Sequence, residues 1–187
     1  MPKLDKEAYD AAEVSSGGEF KRICAGAYVC RIQDVRTSTT DYGRTVDFVK
    51  EKQYVKLLWT PIEGEFAGYF DDDYYADKDY AHTFYLSWKN YGALKAVCQA
   101  FDESNPGFDA YAAINADAWD MFVGKKVGIV VGEEEYLGND GSVRTRLGFP
   151  RVKSVQDVRD GRYKVPELKK LPEQQQAAAR QYDDVPF

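Results

Sequence analysis

The turn sequence GNDG at residues 138–141 constrains the fold more than any other feature of this chain. Asn, Asp and Gly tolerate the backbone angles of tight turns, and the segments on both sides, 125–137 and 142–152, are rich in β-forming residues. We therefore expect a β-hairpin here. Alternation along its second arm predicts an apolar face and a basic face, with Val143, Thr145, Leu147 and Phe149 on the first and Arg144 and Arg146 on the second.

Three further segments have the period-two alternation of strands: GAYVCRIQDVRT (26–37), VDFVKEKQYVKLLWTP (46–61) and HTFYLSW (82–88). In the second segment Val55, Leu57 and Trp59 should face a core, because they alternate with Tyr54, Lys56 and Leu58. Trp59, Phe84 and Trp88 lie among aliphatic neighbours, so we expect all three in the core.

A helix is expected from Tyr91 to Phe101, with Asn90 as its N-cap. Its apolar stripe has helical spacing: Leu94, Val97, Cys98 and Phe101. A second short helix is expected at 115–122, with Asn115 or Asp117 as cap. Five or so short strands, with the helix before the fourth, favour a mainly β fold: a five-stranded OB-type barrel with a helix between strands 3 and 4. An SH3-like or other small barrel fits the strand count almost as well.

The length of 187 residues suits one domain with extensions. We expect a flexible lead-in at 1–20, the barrel at 21–155 and an extended tail at 156–187. Polar residues, Gln/Ala runs and prolines leave little to bury in 166–187, which predicts disorder or loose docking.

Charge is segregated along the chain, although the net charge is −6. Residues 143–170 contain nine Lys or Arg against three acidic residues, a local charge of +6, and residues 21–56 contain eight against four, or +4. The acidic residues concentrate at 71–80, at 133–135 and near the C-terminus. Because a polyanion responds to local charge, the negative total does not exclude a nucleic-acid partner.

Several classes of protein are disfavoured. No apolar run is long enough to span a membrane, the start lacks a signal pattern, and three cysteines without CxxC spacing imply neither a disulfide framework nor a zinc site, so a reducing cytoplasm is expected. His82 is the only histidine, and no nucleophile or phosphate-loop motif occurs. We expect no catalysis, no metal and no other cofactor. A Mg²⁺-dependent nuclease using DDD or EEE is a weaker alternative, since adjacent strand carboxylates point to opposite faces.

The last five residues, DDVPF, combine two carboxylates, an extended Pro and a terminal ring, which together suit a pocket with an apolar floor and a basic rim. This ending resembles the acidic C-terminal tip of bacterial single-stranded DNA-binding proteins, which typically reads Asp-Asp-Asp-Ile-Pro-Phe. Val185 stands for the isoleucine, and Tyr182 replaces an aspartate, so the tip carries less charge. The resemblance assigns partner-protein binding to the tip: Asp183, Asp184, Val185, Pro186 and Phe187.

A second resemblance covers VGKKVGIVVGEEEYLGNDGSVRTRLGFPRVKSVQDVRDGRYKVPELKKL (123–171). This stretch is similar to a family of phage and prophage proteins that sit among replication and recombination genes. The resemblance implies an OB-fold, a role in phage DNA replication or recombination, and no catalytic activity.

Single strands are held by cations along the phosphates and by aromatic rings that stack on bases. The candidate DNA contacts are the exposed cations and tyrosines of the predicted strands and turns: Tyr54, Lys56, Arg144 and Arg146 first, then Tyr28, Arg31, Arg44, Lys52 and Tyr85. The alternative to DNA contact by Arg144 and Arg146 is that both form salt bridges with the EEE segment at 133–135. The acidic loop at 71–80 either repels DNA or adds its tyrosines to the stack.

Two partners follow from this interpretation: single-stranded DNA and, through the tip, replication or recombination proteins. The chain is also compatible with a homo-oligomer. The alternative function is a protein-interaction adaptor whose barrel does not bind DNA.

Overall fold

The computed structural model describes residues 21–37, 55–75, 78, 81–86 and 90–172. The predictions for the lead-in, for residues 38–54, for Trp88 and for residues 173–187 therefore lie outside the described residues. Within the described ranges, no helix has the length and apolar character needed to cross a membrane.

The fold is mainly β, as predicted, and its principal element is a five-stranded antiparallel sheet curled strongly into a half-barrel. In chain order the strands are β1 (Gly26–Thr37), β2 (Val55–Pro61), β3 (Thr83–Leu86), β4 (Lys126–Val131), β5 (Glu133–Leu137), β6 (Val143–Leu147) and β7 (Arg151–Lys153). The order within the large sheet is β3-β2-β1-β4-β7, and β5 and β6 form a separate two-stranded sheet.

The first strand, β1, belongs to both halves of the large sheet. Residues 26–31 pair with β4, and residues 30–37 pair with β2. The register with β2 shifts between Ile32 and Asp34. An extra residue at such a point bends a strand and increases its twist, which accounts for the curl of the sheet.

Within the part of the chain that the structure describes, three α-helices accompany the strands: α1 (Tyr91–Ser104), α2 (Ala110–Asn115) and α3 (Val155–Arg159). Asn90, the predicted N-cap of α1, accepts a hydrogen bond from the Ala93 amide at 3.1 Å. The predicted helix at 115–122 is wrong. A helix ends at Asn115 instead, Asp117 has a positive φ of 56° that interrupts helical geometry, and a single 3₁₀ turn follows at Trp119–Phe122.

The core lies between the concave face of the sheet and the helices. Trp59 and Phe84 are buried in it, as predicted. Phe122 contacts the rings of Phe101 and Phe108 edge-to-face, at centroid distances of 5.1 and 5.2 Å. Edge-to-face pairs place the positive ring edge on the negative face, so this cluster fixes α1 against the 3₁₀ turn as well as burying area.

The hairpin at GNDG is present, but its arms are shorter than predicted. β5 and β6 pair from Glu133↔Leu147 to Leu137↔Val143. Residues 126–131 belong instead to the large sheet as β4, between β1 and β7. The chain leaves one sheet for the other where the Gly148 amide donates to the Gly132 carbonyl at 2.9 Å. Tyr136 pairs with Arg144 and Glu134 with Arg146, so both arginines share a face.

The early part of the predicted tail packs against the body. Residues 162–171, which we call the docked segment, follow α3 and reach the edge of β5. There the Lys169 amide donates to the Glu133 carbonyl at 3.0 Å, and the Glu135 amide donates to the Lys169 carbonyl at 2.9 Å. Leu171 is buried. Backbone hydrogen bonds at the open edge of β5 thus hold this segment in place. Its polar composition had predicted disorder or loose docking.

Gly128 of β4 provides the space for α3. A Cβ there would lie 2.5 Å from Val158 Cγ2 and 2.8 Å from the Ser154 carbonyl oxygen. We expect Gly128→Ala to lower the free energy of unfolding by about 1–3 kcal/mol, because α3 must shift to relieve the contact. Urea unfolding followed by circular dichroism measures this. Gly148→Ala is the control, since its Cβ would meet nothing closer than 3.5 Å; equal stability of the two variants would contradict the packing argument.

Candidate nucleic-acid interface: a groove of tyrosines and cations

A groove with a volume of about 770 Å³ lies between the β5–β6 hairpin and the tyrosine-rich segment that follows β2. Cations and aromatic rings line it together with apolar side chains. Its lining comprises Arg22, Ile23, Tyr69, Phe70, Tyr74, Tyr75, Lys78, Ala81, Tyr136, Val143, Arg144, Thr145, Arg146 and Leu147. We call it the Tyr–Arg groove. Two of the predicted DNA contacts, Arg144 and Arg146, therefore lie in one cavity with four tyrosines.

The hairpin forms the basic wall of the Tyr–Arg groove. Arg146 Nε lies 2.8 Å from Glu134 Oε1, and its guanidinium carbon lies 5.3 Å from the centre of the Tyr136 ring. Arg144 Nη2 lies 2.6 Å from Asp140 Oδ2. The expected salt bridge to EEE thus exists for Arg146, whereas Arg144 pairs with the turn. The arginine side chains remain 62% and 55% exposed, so both present N–H groups to the solvent in the groove.

The opposite wall is aromatic. Tyr75 lies at its centre, with ring-centroid distances of 5.3 Å to Tyr69, 5.0 Å to Phe70 and 5.0 Å to Tyr74. Tyr74 is 60% exposed, and Lys78 Nζ lies 3.4 Å from the centre of its ring. Each wall therefore carries a tyrosine ring with a cation over one of its faces.

The aromatic wall is anchored in the core through Phe70. The Phe70 ring meets Trp59 edge-to-face at 5.2 Å and stacks on His82 at 4.6 Å with an interplanar angle of 20°. His82 is buried. Asp72 then turns the chain by accepting from the Tyr74 amide at 2.7 Å, which begins the 3₁₀ turn Asp73–Tyr75. The tyrosines thus extend from a rigid base.

Arg22 contributes a cation at the N-terminal side of the groove. Its Nη1 donates to Thr145 Oγ1 at 3.2 Å, and its Nη2 donates to the Thr145 carbonyl oxygen. Among the described residues, no carboxylate forms a salt bridge with Arg22. Lys78, whose Nζ contacts the carbonyl and ring of Tyr74, likewise forms no salt bridge with a carboxylate of the described residues.

Two titratable groups, one in the groove and one beside it, have shifted pKa values. Hydrogen bonds from the Ser142 hydroxyl and amide, and then from Arg144, lower the pKa of Asp140 to about 2. Burial, followed by a hydrogen bond with Tyr69, raises the pKa of Tyr75 well above its ordinary value. At neutral pH the turn carboxylate is ionised and holds Arg144, while Tyr75 is uncharged and can approach an anion without repulsion.

Three other predicted contacts that the structure describes, Tyr28, Arg31 and Tyr85, are not part of the groove lining. Tyr28 donates its hydroxyl to the Cys24 carbonyl at 2.7 Å and packs on Phe66; Arg31 lies 3.6 Å from Asp71; and Tyr85 is exposed on β3. Tyr54, Arg44, Lys52 and the tip at 183–187 lie outside the described residues.

Lys56 requires a correction. The face of β2 opposite Trp59 was expected to be open, but Lys56 is only 5% exposed, and every residue of β2 is buried. The physical reason is that β2 is an internal strand, flanked by β1 and β3 and covered on both faces. The role of Lys56 as a DNA contact stays a prediction.

Sequence analysis missed Arg22, Tyr69 and Lys78 as groove residues and left the role of the loop tyrosines open. A signal for one contact was present, because Tyr74 and Lys78 are four residues apart, a spacing that brings a cation back over a ring within a helical turn. The meeting of this loop with a hairpin more than sixty positions later had no local signal.

No protein-family model matches the chain, and a search of curated proteins finds no match either. The geometry of the groove therefore carries the functional argument.

The Arg144–Asp140 pair should persist into strongly acidic solution. A folded pKa below the ordinary 3.8 means that the stabilisation from ionised Asp140 is complete above pH 3.8 and is lost as the pH falls through about 2. The carboxyl carbon shift of Asp140, followed by NMR, should titrate near pH 2. In Ser142→Ala, which removes the largest cause, the midpoint should move toward the ordinary value. An unchanged midpoint would show that Ser142 does not hold the carboxylate.

Proposed function

We propose that this chain binds single-stranded DNA in the Tyr–Arg groove, without marked sequence preference and without catalysis. The observation that carries the proposal is the joining, in one groove, of Arg22, Lys78, Arg144 and Arg146 with four tyrosines. Cations follow the phosphates of a single strand, and rings stack on its bases, each stacked base contributing roughly 1–3 kcal/mol. Since every base has a π-face, such a surface tolerates any sequence.

An OB-type identity of the half-barrel belongs to the same proposal. In support, β1 pairs with both β2 and β4, β2 pairs with β3, and α1 follows β3 in the chain, as in a barrel of that type. The β5–β6 hairpin extends between β4 and β7 and supplies the basic wall. On this view the half-barrel is a scaffold, and the two segments projecting from it hold the strand.

The wider role rests on the resemblances. We place the protein in phage or prophage DNA replication or recombination, in the cytoplasm, with the tip Asp183–Phe187 recruiting partner proteins. The adaptor alternative, in which the barrel contacts protein and never DNA, is an outcome of the test below.

Arg144→Ala/Arg146→Ala tests the basic wall. We expect the double variant to bind oligo(dT) roughly 10- to 100-fold more weakly, because two charged hydrogen-bonding contacts of about 1 kcal/mol each are lost. The slope of log K against log salt should also fall by about 1.4, at about 0.7 per phosphate contact for single strands. Quenching of tyrosine and tryptophan fluorescence at two salt concentrations measures both quantities.

Lys95→Ala/Arg159→Ala is the matched control, since it removes two exposed cations of α1 and α3 that do not line the groove. Equal weakening in both double variants would indicate diffuse attraction rather than binding in the groove. If the unmodified protein shows no quenching at low salt, the proposal fails and the adaptor is favoured. Mg²⁺-dependent loss of labelled strand would indicate a nuclease.

Glu134→Gln should tighten DNA binding. Glu134 lies 2.8 Å from Arg146 Nε and 3.6 Å from Lys169 Nζ, so it competes with phosphates for both cations. Removal of its charge should raise affinity for oligo(dT) by about 2- to 10-fold, since its repulsion of phosphate and its two ion pairs, of about 0–1 kcal/mol each, disappear. Glu63→Gln, which releases Arg159 outside the groove, is the control. Weaker binding by Glu134→Gln would mean that Glu134 orients Arg146 rather than competing for it.

A further inference from the structure

A second cationic surface lies on the edge strand of the large sheet. Arg151 and Lys153 of β7 line a shallow depression with Tyr163, Lys164 and Arg162 of the docked segment, and Val130 lies at its base. β7 is the last strand in the order β3-β2-β1-β4-β7. We call the exposed set Arg151, Lys153, Tyr163 and Lys164 the edge patch.

The cations of the edge patch are weakly compensated. Among the described residues, no carboxylate forms a salt bridge with Arg151 or Lys153. Lys164 lies 4.0 Å from Glu167, and both of these side chains are at least 85% exposed, so this pair is loose. Arg162 differs, because it contacts both Asp157 and Asp160, and we therefore leave it out of the patch.

The docked segment connects the edge patch to the Tyr–Arg groove. It begins beside β7 at Arg162 and ends beside β5, where Lys169 bonds to the backbone of Glu133 and Glu135. Lys169 Nζ and Arg146 Nε lie 3.6 and 2.8 Å from the two oxygens of the same Glu134 carboxylate. Lys169 is therefore the immediate neighbour of a groove cation, and exposed Lys170 follows it.

Pro166 fixes this path over the sheet. A Cβ on Gly132 would lie 2.8 Å from Pro166 Cβ, so the backbone of the docked segment rests directly on the crossing point between β4 and β5. In the folded chain the segment that carries Lys164 and Lys169 therefore lies against the sheet at Pro166.

We propose that the edge patch is a second phosphate-binding surface for the same DNA strand, reached from the Tyr–Arg groove along Lys169 and Lys164. This inference rests on the proposed function. A single strand suits the surface better than an acidic peptide, because the docked segment that carries Lys164 and Lys169 runs from the edge patch to the neighbourhood of Arg146. Tyr163 also offers a partly exposed ring beside them, as base stacking requires.

Oligonucleotide length separates the two surfaces. A short oligo(dT) of about 6 nucleotides should occupy the groove alone, and one of about 25 nucleotides should reach the edge patch as well. We expect Arg151→Ala/Lys153→Ala to weaken binding of the long strand about 5- to 10-fold and to lower its salt slope by about 1.4. Binding of the short strand and its fluorescence quenching should not change.

Lys95→Ala/Arg159→Ala is again the control, and thermal unfolding checks that the edge-patch variant is folded. If the edge-patch variant binds the long strand as tightly as the unmodified protein does, the second surface is refuted while the groove stands. A loss for both strand lengths would also refute it, since the effect would not be local to the edge. If the unmodified protein binds neither strand, the proposed function and this inference fall together. Unchanged DNA binding with lost affinity for an acidic peptide would assign the patch to a protein partner.

Discussion

The pairing of β1 with β2 on one side and β4 on the other is the constraint on which the rest of this structure depends. The register shift after Ile32 lets β1 bend at the point where its pairing passes from β4 to β2. The bend brings Trp59 and Ile129 into one core with Phe101 of α1. It also directs the segments that follow β2 and β4 toward each other, which is why a loop and a distant hairpin form opposite walls of one groove.

The arginines of the Tyr–Arg groove form ion pairs whose carboxylate partners can be replaced by another anion. Arg144 and Arg146 are oriented by Asp140 and Glu134, but the arginines are more than half exposed, and exposed pairs of this kind contribute only about 0–1 kcal/mol. A phosphate can therefore replace a carboxylate at little cost, while the carboxylates keep the guanidinium groups directed into the groove in the absence of ligand. Asp140 and Glu134, two of the acidic residues of a chain that is negative overall, are thus direct partners of the groove arginines.

Local patterns predicted local structure well. The bounds of β1, the capping contact of Asn90 and the burial of Trp59 follow from alternation, a capping side chain and neighbouring aliphatic residues. The prediction of an open face on β2 failed because alternation reports the preference of side chains, whereas burial of Lys56 depends on the elements that cover the strand. The length of the hairpin arms was overestimated, because a run of β-forming residues does not show which sheet each strand joins.

The candidate site was predictable only in part. Arg144 and Arg146 were found because alternation separates them from the apolar face of β6. The aromatic wall was not assigned, since the acidic residues around Tyr74 suggested repulsion and the anchor at Phe70 depends on contacts with Trp59 and His82. The docked segment was predicted to be part of an extended tail, because its polar residues offer little apolar area to bury. Backbone hydrogen bonds to β5 hold the segment in place of buried apolar area. Amino-acid composition does not show that a strand edge is available for such bonds.

The attachment of the docked segment also has a consequence for folding. Gly26 of β1 pairs with Val131 of β4, so the large sheet closes only after most of the chain has come together, a slow and non-local step. Leu171, by contrast, bonds to Glu135 only 36 residues earlier, on the β5–β6 hairpin outside the large sheet. The segment should therefore open and reclose as a separate cooperative unit while the sheet stays intact. Amide hydrogen exchange would then be faster at Lys169 and Leu171 than in β1, and the outer part of the cationic path would be the most dynamic part of the proposed interface.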